Sequence, residues 1–303
     1  MTSKDFYNKL AEIVSEEAIL KNEPMSKHTT FRIGGNADVF VSPKVSQVAD
    51  IITLAKEFEV PVTIIGNGSN LLVGDKGIRG LVLSFGKEAE DIQLDGTCMT
   101  VSAGTILAKA AAEAAKNSLT GLEFAAGIPG TMGGAIVMNA GAYGGEMKDV
   151  VISATVLTPE GEIKVLSNEE LDLAYRHSCI PEMGYIVLEV VLELTPGDEE
   201  KIRETMADLK GRRVDKQPLE YPSAGSTFKR PEGHFAGKLI QDAELRGYQV
   251  GGAQVSEKHC GFVINTGNAT AADVLQLIED VKKIVFEKFQ VELEPEVKMI
   301  GEF

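Results

Sequence analysis

The sequence predicts an α+β protein with more than one domain. Helical and strand-like patterns of apolar residues alternate along the chain, and two strands, Val151–Leu157 and residues 162–166, flank a Thr-Pro-Glu-Gly turn typical of a hairpin. A hairpin does not belong to a purely parallel, doubly wound sheet. The stretch 211–222 predicts a domain boundary, and 303 residues suffice for two or three domains of roughly 100–150 residues each.

Each predicted element follows from a local pattern. Apolar residues at i, i+3 and i+4 indicate helices, and short apolar runs bounded by turn residues indicate strands. We therefore expect a helix over 48–58, a strand at Val62–Ile65, strands at 81–85 and 98–103, an alanine-rich helix over 106–117, a strand over 185–194, a helix after Asp198, and a long C-terminal helix with its apolar stripe at 274–285. Ser167 and Glu170 form a capping box, which predicts a short helix ending near Tyr175.

The net charge of the chain limits the classes of partner that it can bind. Its 30 basic and 45 acidic residues give a net charge of −15. So acidic a chain repels phosphate backbones, and we expect no nucleic-acid partner. Between Lys210 and Lys238, however, seven basic residues outnumber three acidic ones. This excess has two interpretations: a solvated helix end with its following loop, or a pocket for an anionic ligand.

Cysteine usage and the N-terminal segment indicate a cytoplasmic protein. Cys98, Cys179 and Cys260 include no CxxC pair, which favours reduced thiols over a disulfide framework. The N-terminal MTSKDFYNKL lacks the apolar region of a signal peptide, and no run approaches the roughly 18 apolar residues of a membrane span. We expect no membrane partner. The sequence also predicts no metal site, because none of its four histidines (His28, His177, His234 and His259) has a second at metal-ligand spacing.

A first glycine-rich loop, Gly66-Asn67-Gly68-Ser69-Asn70-Leu71, follows the strand Val62–Ile65 directly. Its glycines let backbone N–H groups approach a ligand closely, and successive amides of this kind suit a pyrophosphate. Ser69 and Asn70 add side-chain donors. The loop lacks the third glycine and the following helix of a Rossmann fingerprint. A plain tight turn is the alternative interpretation.

A second loop runs through Gly127-Ile128-Pro129-Gly130-Thr131-Met132-Gly133-Gly134, and eight of the 31 glycines fall between Gly121 and Gly145. Glycine costs conformational entropy, so such density requires a reason. Close approach of the backbone to a flat cofactor and its phosphates supplies one, and bulges or tight packing supply another. No GK[ST] sequence ends the loop, which excludes a P-loop. Two such loops favour a dinucleotide site.

Six motifs occur in a specific order over nearly the whole chain. They are HTTFRIGG at 28–35, GNGSNLL at 66–72, GIPGTMGG at 127–134, YRHS at 175–178, AGSTFK at 224–229 and LEPEV at 293–297. In this set the chain resembles the UDP-N-acetylenolpyruvoylglucosamine reductase family, flavoenzymes of bacterial peptidoglycan precursor synthesis. The resemblance implies an FAD-binding fold of the vanillyl-alcohol-oxidase/PCMH type with a smaller α+β substrate-binding domain. It divides the chain into FAD-binding subdomains at 1–80 with 291–303 and at 81–210, and a substrate-binding domain at 211–290.

The resemblance also implies a reaction and its participants. UDP-N-acetylglucosamine enolpyruvate would be reduced to UDP-N-acetylmuramate, with non-covalent FAD as cofactor and NADPH as electron donor. Arg176, Glu296 and Ser226 match the catalytic residues, with Ser226 as proton donor. Tyr175, Lys216 and Lys229 are the expected substrate contacts. The expected FAD contacts are Arg32, the loop residues Gly66, Asn67, Gly68, Ser69, Asn70 and Leu71, and Gly127, Ile128, Pro129, Gly130, Gly133 and Gly134.

The residues alone leave alternatives open. Arg176 is also compatible with a surface ion pair. Glu296 is compatible with an exposed position on a strand, and Ser226 with an ordinary loop serine. On the same fold, an FAD-dependent alcohol or hydroxy-acid oxidoreductase would share the glycine loops, and a non-catalytic nucleotide-binding protein would need only those loops. Longer members of the family carry a tyrosine loop after the YR motif. Here only residues 178–184 separate that motif from the next strand, so the chain resembles the short form.

Overall fold

A computed structural model describes residues 4–303 of the chain. The chain divides into two compact units. Unit 1 comprises Met1–Leu20, Val39–Asn67 and Gly80–Arg213, and unit 2 comprises Lys21–Asp38, Gly68–Arg79 and Val214–Phe303. The division after Arg213 lies in the stretch predicted as a boundary. The predicted separation of residues 1–80 from 81–210 has no counterpart among these two units and stays a prediction.

Eight α-helices lie in the part of the chain that the structure describes. They are α1 (Lys4–Val14), α2 (Val48–Glu57), α3 (Leu107–Lys116), α4 (Met132–Val137), α5 (Ile180–Met183), α6 (Glu199–Lys216), α7 (Ala236–Asp242) and α8 (Ala271–Phe289). None of them, over residues 4–303, is long and apolar enough to span a membrane.

The strands are mostly short. They are β1 (Ile19–Pro24), β2 (Asn36–Val41), β3 (Val62–Ile65), β4 (Leu71–Val73), β5 (Ile78–Ser84), β6 (Ile92–Asp95), β7 (Cys98–Ser102), β8 (Leu119–Thr120), β9 (Gly141–Ala142), β10 (Gly145–Glu146), β11 (Val151–Leu157), β12 (Ile163–Ser167), β13 (Ile186–Glu193), β14 (Thr195–Pro196), β15 (Ser223–Ser226), β16 (Gln249–Val250), β17 (Ala253–Val255), β18 (Phe262–Asn265) and β19 (Lys298–Ile300). The larger sheets have the orders β1-β2-β5-β3, β12-β11-β13-β7-β6 and β15-β18-β17-β16.

Unit 1 is built on the antiparallel sheet of β12, β11, β13, β7 and β6. The predicted hairpin forms β11 and β12, with Leu157 opposite Ile163. The alanine-rich helix α3 buries one face, including Leu107, Ala110 and Ala114, in the core of this unit. Small alanine side chains let a helix approach its neighbours closely. The strand β3 pairs in parallel with β5 and leads directly into the first glycine loop.

Unit 2 has a core of its own under the antiparallel sheet of β15, β18, β17 and β16. The long helix α8 supplies the predicted apolar stripe: Val274, Leu277, Ile278, Val281 and Val285 are buried, and Ile284 packs beside them. The helix begins with a capping box in which Oγ1 of Thr270 accepts from the Asp273 backbone N–H at 3.1 Å. A parallel pair, β4 with β19, joins the end of the first glycine loop to the C-terminal segment.

The predicted helix after Ser167 is wrong. The capping contacts exist, since the Ser167 N–H donates to Oε2 of Glu170 at 2.8 Å, and they hold the pKa of that carboxyl below its ordinary value. The chain completes one turn, from Leu171 N to Ser167 O, and no helix follows. Leu171 is fully buried, and Asp172 has a φ of +49°, which a continuing α-helix does not permit. The left-handed backbone at Asp172 therefore ends the turn that the capping box begins.

Candidate functional site

The two glycine loops meet within unit 1. The Asn67 side-chain amide donates to the Pro129 carbonyl at 2.7 Å. Gly66 lies against Thr131, and a Cβ at Gly66 would lie only 2.3 Å from the Oγ1 of Thr131. Thr131 is itself fixed, because its hydroxyl accepts from the Gly134 N–H as the N-cap of α4. The structure therefore brings together two segments that are more than sixty residues apart in sequence, and Gly66 is required for their close contact.

Arg213, one of the seven basic residues between Lys210 and Lys238 but not among the expected cofactor contacts, lies beside the second loop. The side chain of Arg213 approaches Gly127, where an added Cβ would lie 3.3 Å from its Cδ. Burial lowers the pKa of Arg213, and the phenol of Tyr143 acts in the opposite direction. An arginine nevertheless stays protonated, so a partly buried positive charge adjoins this loop. Its position at the end of the basic helix α6 was the only signal in the sequence.

The Tyr175–Arg176 motif lies in a tight turn of unit 1, closed by a bridge between Ala174 and His177. Arg176 has a φ of +55°, and its guanidinium carbon lies 5.2 Å from the centroid of the exposed Tyr175 ring. The turn is anchored by Asn139, which is 1% exposed and whose amide donates to the Ala174 carbonyl at 3.1 Å. A buried asparagine thus supports the arginine turn, a role that local sequence patterns do not reveal.

The rest of the first glycine loop belongs to unit 2. Gly68 has a φ of +62°, and a Cβ there would lie 2.1 Å from the His28 carbonyl oxygen, so only glycine fits. Asn70 points into this unit, where its amide donates to the Glu296 carbonyl at 3.0 Å. Leu71 begins β4 and pairs with Lys298 of β19. Arg32 is exposed at a φ of +55°, with its N–H bonded to the Thr29 carbonyl.

Ser226 and Glu296 lie in adjacent segments of unit 2. Ser226 ends β15 opposite Phe262 of β18. The next residue, Thr227, accepts through its carbonyl from the Glu296 N–H at 2.8 Å. Glu296 is only 8% exposed, although its alternating strand pattern fits an exposed side chain equally well. The structure thus places a buried glutamate in the segment adjacent to a partly exposed serine.

The predicted substrate lysines have different surroundings. The Lys229 ammonium pairs with the Glu294 carboxylate, and the backbone N–H of Lys229 donates to the Glu294 carbonyl at 2.8 Å. Lys216 is exposed at the end of α6 and lies close enough to His259 to lower the pKa of that histidine, although burial is the larger cause. The His259 Nδ1 accepts from the Gly261 N–H at 3.1 Å, so the proton of the neutral ring is on Nε2.

The basic excess between Lys210 and Lys238 is partly a solvated surface. Arg212 pairs with Asp208 at 2.7 Å, and Lys238 pairs with Asp242. Ion pairs at this spacing on exposed helices contribute little to stability. Arg212 and Lys238 therefore belong to a solvated helix surface, whereas Arg213 fits a pocket for an anionic ligand. Over residues 4–303 no cluster of three or more histidine, cysteine or acidic side chains could hold a metal ion, and the three cysteines form no disulfide.

Comparison with known proteins gives the family. A model of an FAD binding domain matches residues 37–167, and a model of the C-terminal domain of UDP-N-acetylenolpyruvoylglucosamine reductase matches residues 217–300. The chain is 60% identical to the UDP-N-acetylenolpyruvoylglucosamine reductase of Agathobacter rectalis, over 99% of this chain and 100% of that protein. It is 57% identical to the reductase of Lachnoclostridium phytofermentans, over 97% of this chain and 96% of that protein.

Among solved structures, the UDP-N-acetylenolpyruvylglucosamine reductase of Thermus caldophilus is similar with a TM-score of 0.79 and 35% identity, over 93% of this chain and 98% of that one. The FAD-binding fold and the FAD cofactor predicted from the sequence are thereby confirmed. The residues that hold the cofactor and carry the chemistry stay predictions. On full-length identity and matching fold, the chain belongs to the UDP-N-acetylenolpyruvoylglucosamine reductase family.

Proposed function

We propose that this protein reduces UDP-N-acetylglucosamine enolpyruvate to UDP-N-acetylmuramate, with NADPH as the electron donor. The observation that carries the proposal is that the buried Glu296 lies in the segment beside Ser226, with its N–H donating to the carbonyl of the next residue, Thr227, inside a C-terminal domain of this family. In the overall reaction one hydride and one proton add across the alkene of the enol ether, and NADPH becomes NADP⁺. When bound, FAD supplies the two-electron transfer that links NADPH to the alkene.

The chain's own residues handle the charge that develops on the substrate. Hydride addition to one alkene carbon leaves negative charge on the carbon beside the carboxylate. Arg176 is the group we assign to that carboxylate, because a guanidinium stays charged and binds it with two parallel hydrogen bonds. Glu296 stabilises the enolic form, as a hydrogen-bond donor when protonated. Ser226 then delivers the proton to carbon. A serine hydroxyl is a weak acid, so its proton transfer needs a strongly basic acceptor and a cationic neighbour. We assign Lys216 as that neighbour.

The loop residues of unit 1 fit FAD. Gly66 brings bare backbone to the place where the two loops meet, and Arg213 supplies a positive charge beside Gly127 of the second loop. Backbone amides with an adjacent cation suit a pyrophosphate. Gly66, Asn67, the 127–134 loop and Arg213 are therefore the groups we expect to hold the cofactor, together with Arg32 and residues 68–71 as the family resemblance implies.

Substitution of Gly66 tests this assignment. Gly66→Ala is expected to lower FAD affinity about tenfold or more, because the new Cβ would overlap Thr131 Oγ1 and overpacking typically costs about 1–3 kcal/mol. Flavin content of the purified protein and FAD titration of the apoprotein measure the effect. Gly211→Ala is the control, since an added Cβ there meets nothing within 4 Å. The double variant Gly66→Ala/Thr131→Ala should regain part of the affinity. Normal FAD binding by Gly66→Ala would refute the assignment.

NADPH and the UDP-sugar are proposed to use one pocket in turn. The glycine loops account for one dinucleotide, and the sequence has no second fingerprint for NADPH. Alternate occupation gives ping-pong kinetics with parallel double-reciprocal lines, and intersecting lines would contradict it. We propose a cytoplasmic location, consistent with three unpaired cysteines, and no nucleic-acid partner, consistent with the net charge of −15. The three-part domain division at 1–80 with 291–303, 81–210 and 211–290 is retained as a proposal.

The visible spectrum under anaerobic conditions tests the function. The flavin absorbance should bleach when NADPH is added and recover when UDP-N-acetylglucosamine enolpyruvate follows. If bound flavin bleaches but the enol ether does not restore it, the substrate assignment fails. The alternative is then another FAD-dependent oxidoreductase of the same fold, acting on an alcohol or hydroxy acid, and oxygen consumption with such a substrate would identify it.

A further inference from the structure

An exposed aromatic ring lies in the loop that follows Ser226. Phe235 is 62% exposed, yet the backbone around it is well fixed. Its carbonyl accepts from the N–H groups of Lys238 and Leu239 at 3.0 and 3.1 Å, at the start of α7. The next residue, Ala236, is buried. The chain therefore holds a large apolar ring in solvent at a defined position.

The same loop places a cation on one face of this ring. The guanidinium carbon of Arg230 lies 4.0 Å from the ring centroid of Phe235. A tight turn makes the contact possible, because the His234 N–H donates to the Pro231 carbonyl and Gly233 has a φ of +71°. The guanidinium fixes the orientation of the ring and covers one face. A ring that is still 62% exposed has surface left for a second flat partner.

The loop is tied to the proposed proton donor. Thr227, directly after Ser226, donates its N–H to the Gly261 carbonyl at 2.8 Å, and Phe228 is buried. Arg230 is four positions after Ser226, so their Cα atoms are at most about 14 Å apart. A substrate whose alkene reaches Ser226 and which continues as a sugar nucleotide extends over such a distance.

From this geometry we propose that Phe235 stacks on the pyrimidine base of the nucleotide substrate, with Arg230 holding the ring from its other face. The inference rests on the proposed function, because it takes the substrate to be a uridine nucleotide. Phe235 is a specificity residue in this assignment: it binds the base and takes no part in hydride or proton transfer.

The test measures ligand binding and kinetics of the FAD-loaded Phe235→Ala variant. Base–aromatic stacking contributes about 5- to 150-fold in affinity, so the inhibition constant of UDP and the KM for the enol ether should each rise about tenfold. The kcat and the rate of flavin reduction by NADPH should stay within twofold, and Phe235→Trp should bind UDP nearly as the native protein does. Phe286→Ala, at a residue 42% exposed on α8, is the matched control and should change nothing. Inhibition by pyrophosphate, which has no base, should be the same in Phe235→Ala.

Three results would overturn the inference. They are an unchanged inhibition constant for UDP in Phe235→Ala, an equal loss for UDP and pyrophosphate, and an equal loss for NADPH and the enol ether. The proposed function is tested separately, by recovery of the flavin spectrum when the enol ether is added to the reduced native protein. A native protein that binds UDP but fails this recovery refutes the function, and the effect of Phe235→Ala on UDP still decides the role of the ring.

Discussion

Ser226→Ala is expected to lower kcat for reduction of the enol ether by about 10²–10⁴, the usual contribution of a positioned general acid. The loss should fall entirely on the second half-reaction, because the proton is needed only after hydride has reached the substrate. Rapid mixing of prereduced protein with the enol ether measures that half-reaction directly. Flavin reduction by NADPH in the same variant should proceed at the native rate.

A serine on the same strand provides the control for this variant. Ser223→Ala, three residues earlier in β15, should leave both half-reactions unchanged, since Ser223 contributes its carbonyl to a hydrogen bond from Thr30 and the backbone is retained. Ser226→Cys should recover part of the activity, because a thiol also donates a proton. If Ser226→Ala reoxidises within tenfold of the native rate, Ser226 is not the proton donor.

Glu296→Gln is expected to lower kcat by about 10²–10³, comparable to the loss of one electrostatic group that stabilises a transition state. The amide preserves the size of the buried side chain and the backbone bonds from Glu296 N to Thr227 O and from Asn70 to the Glu296 carbonyl. It removes the acidic group, so a fall in kcat without loss of flavin or of thermal stability would identify a chemical role. Steady-state kinetics with thermal unfolding of the same samples measure both.

The chain offers a close control two residues earlier. Glu294 lies in the same segment, and its exposed carboxylate pairs with Lys229. Glu294→Gln should therefore change kcat by less than twofold, as expected for a surface ion pair. An equal loss in both variants would mean that the segment tolerates no substitution and would contradict a specific role for Glu296.

Local sequence patterns determined most of the secondary structure. The strand β3 has the predicted bounds, Val62–Ile65, and α8 buries the predicted stripe. Both depend on neighbours within a few residues, which periodicity and turn residues report directly. The predicted helix after Ser167 failed because the backbone becomes left-handed at Asp172, beside the buried Leu171, and a capping box does not encode where a helix stops. The six ordered motifs were sufficient for the family and the FAD cofactor.

Tertiary structure alone decided which groups come together. Asn70 and Glu296 are 226 positions apart, and nothing local to either residue predicts that they share a hydrogen bond. The buried position of Glu296, the pairing of Lys229 with Glu294 and the charge of Arg213 beside Gly127 are of the same kind. Such contacts form because burial of two separate cores offsets the entropy of closing long loops, and that balance belongs to the whole chain rather than to any short segment of it.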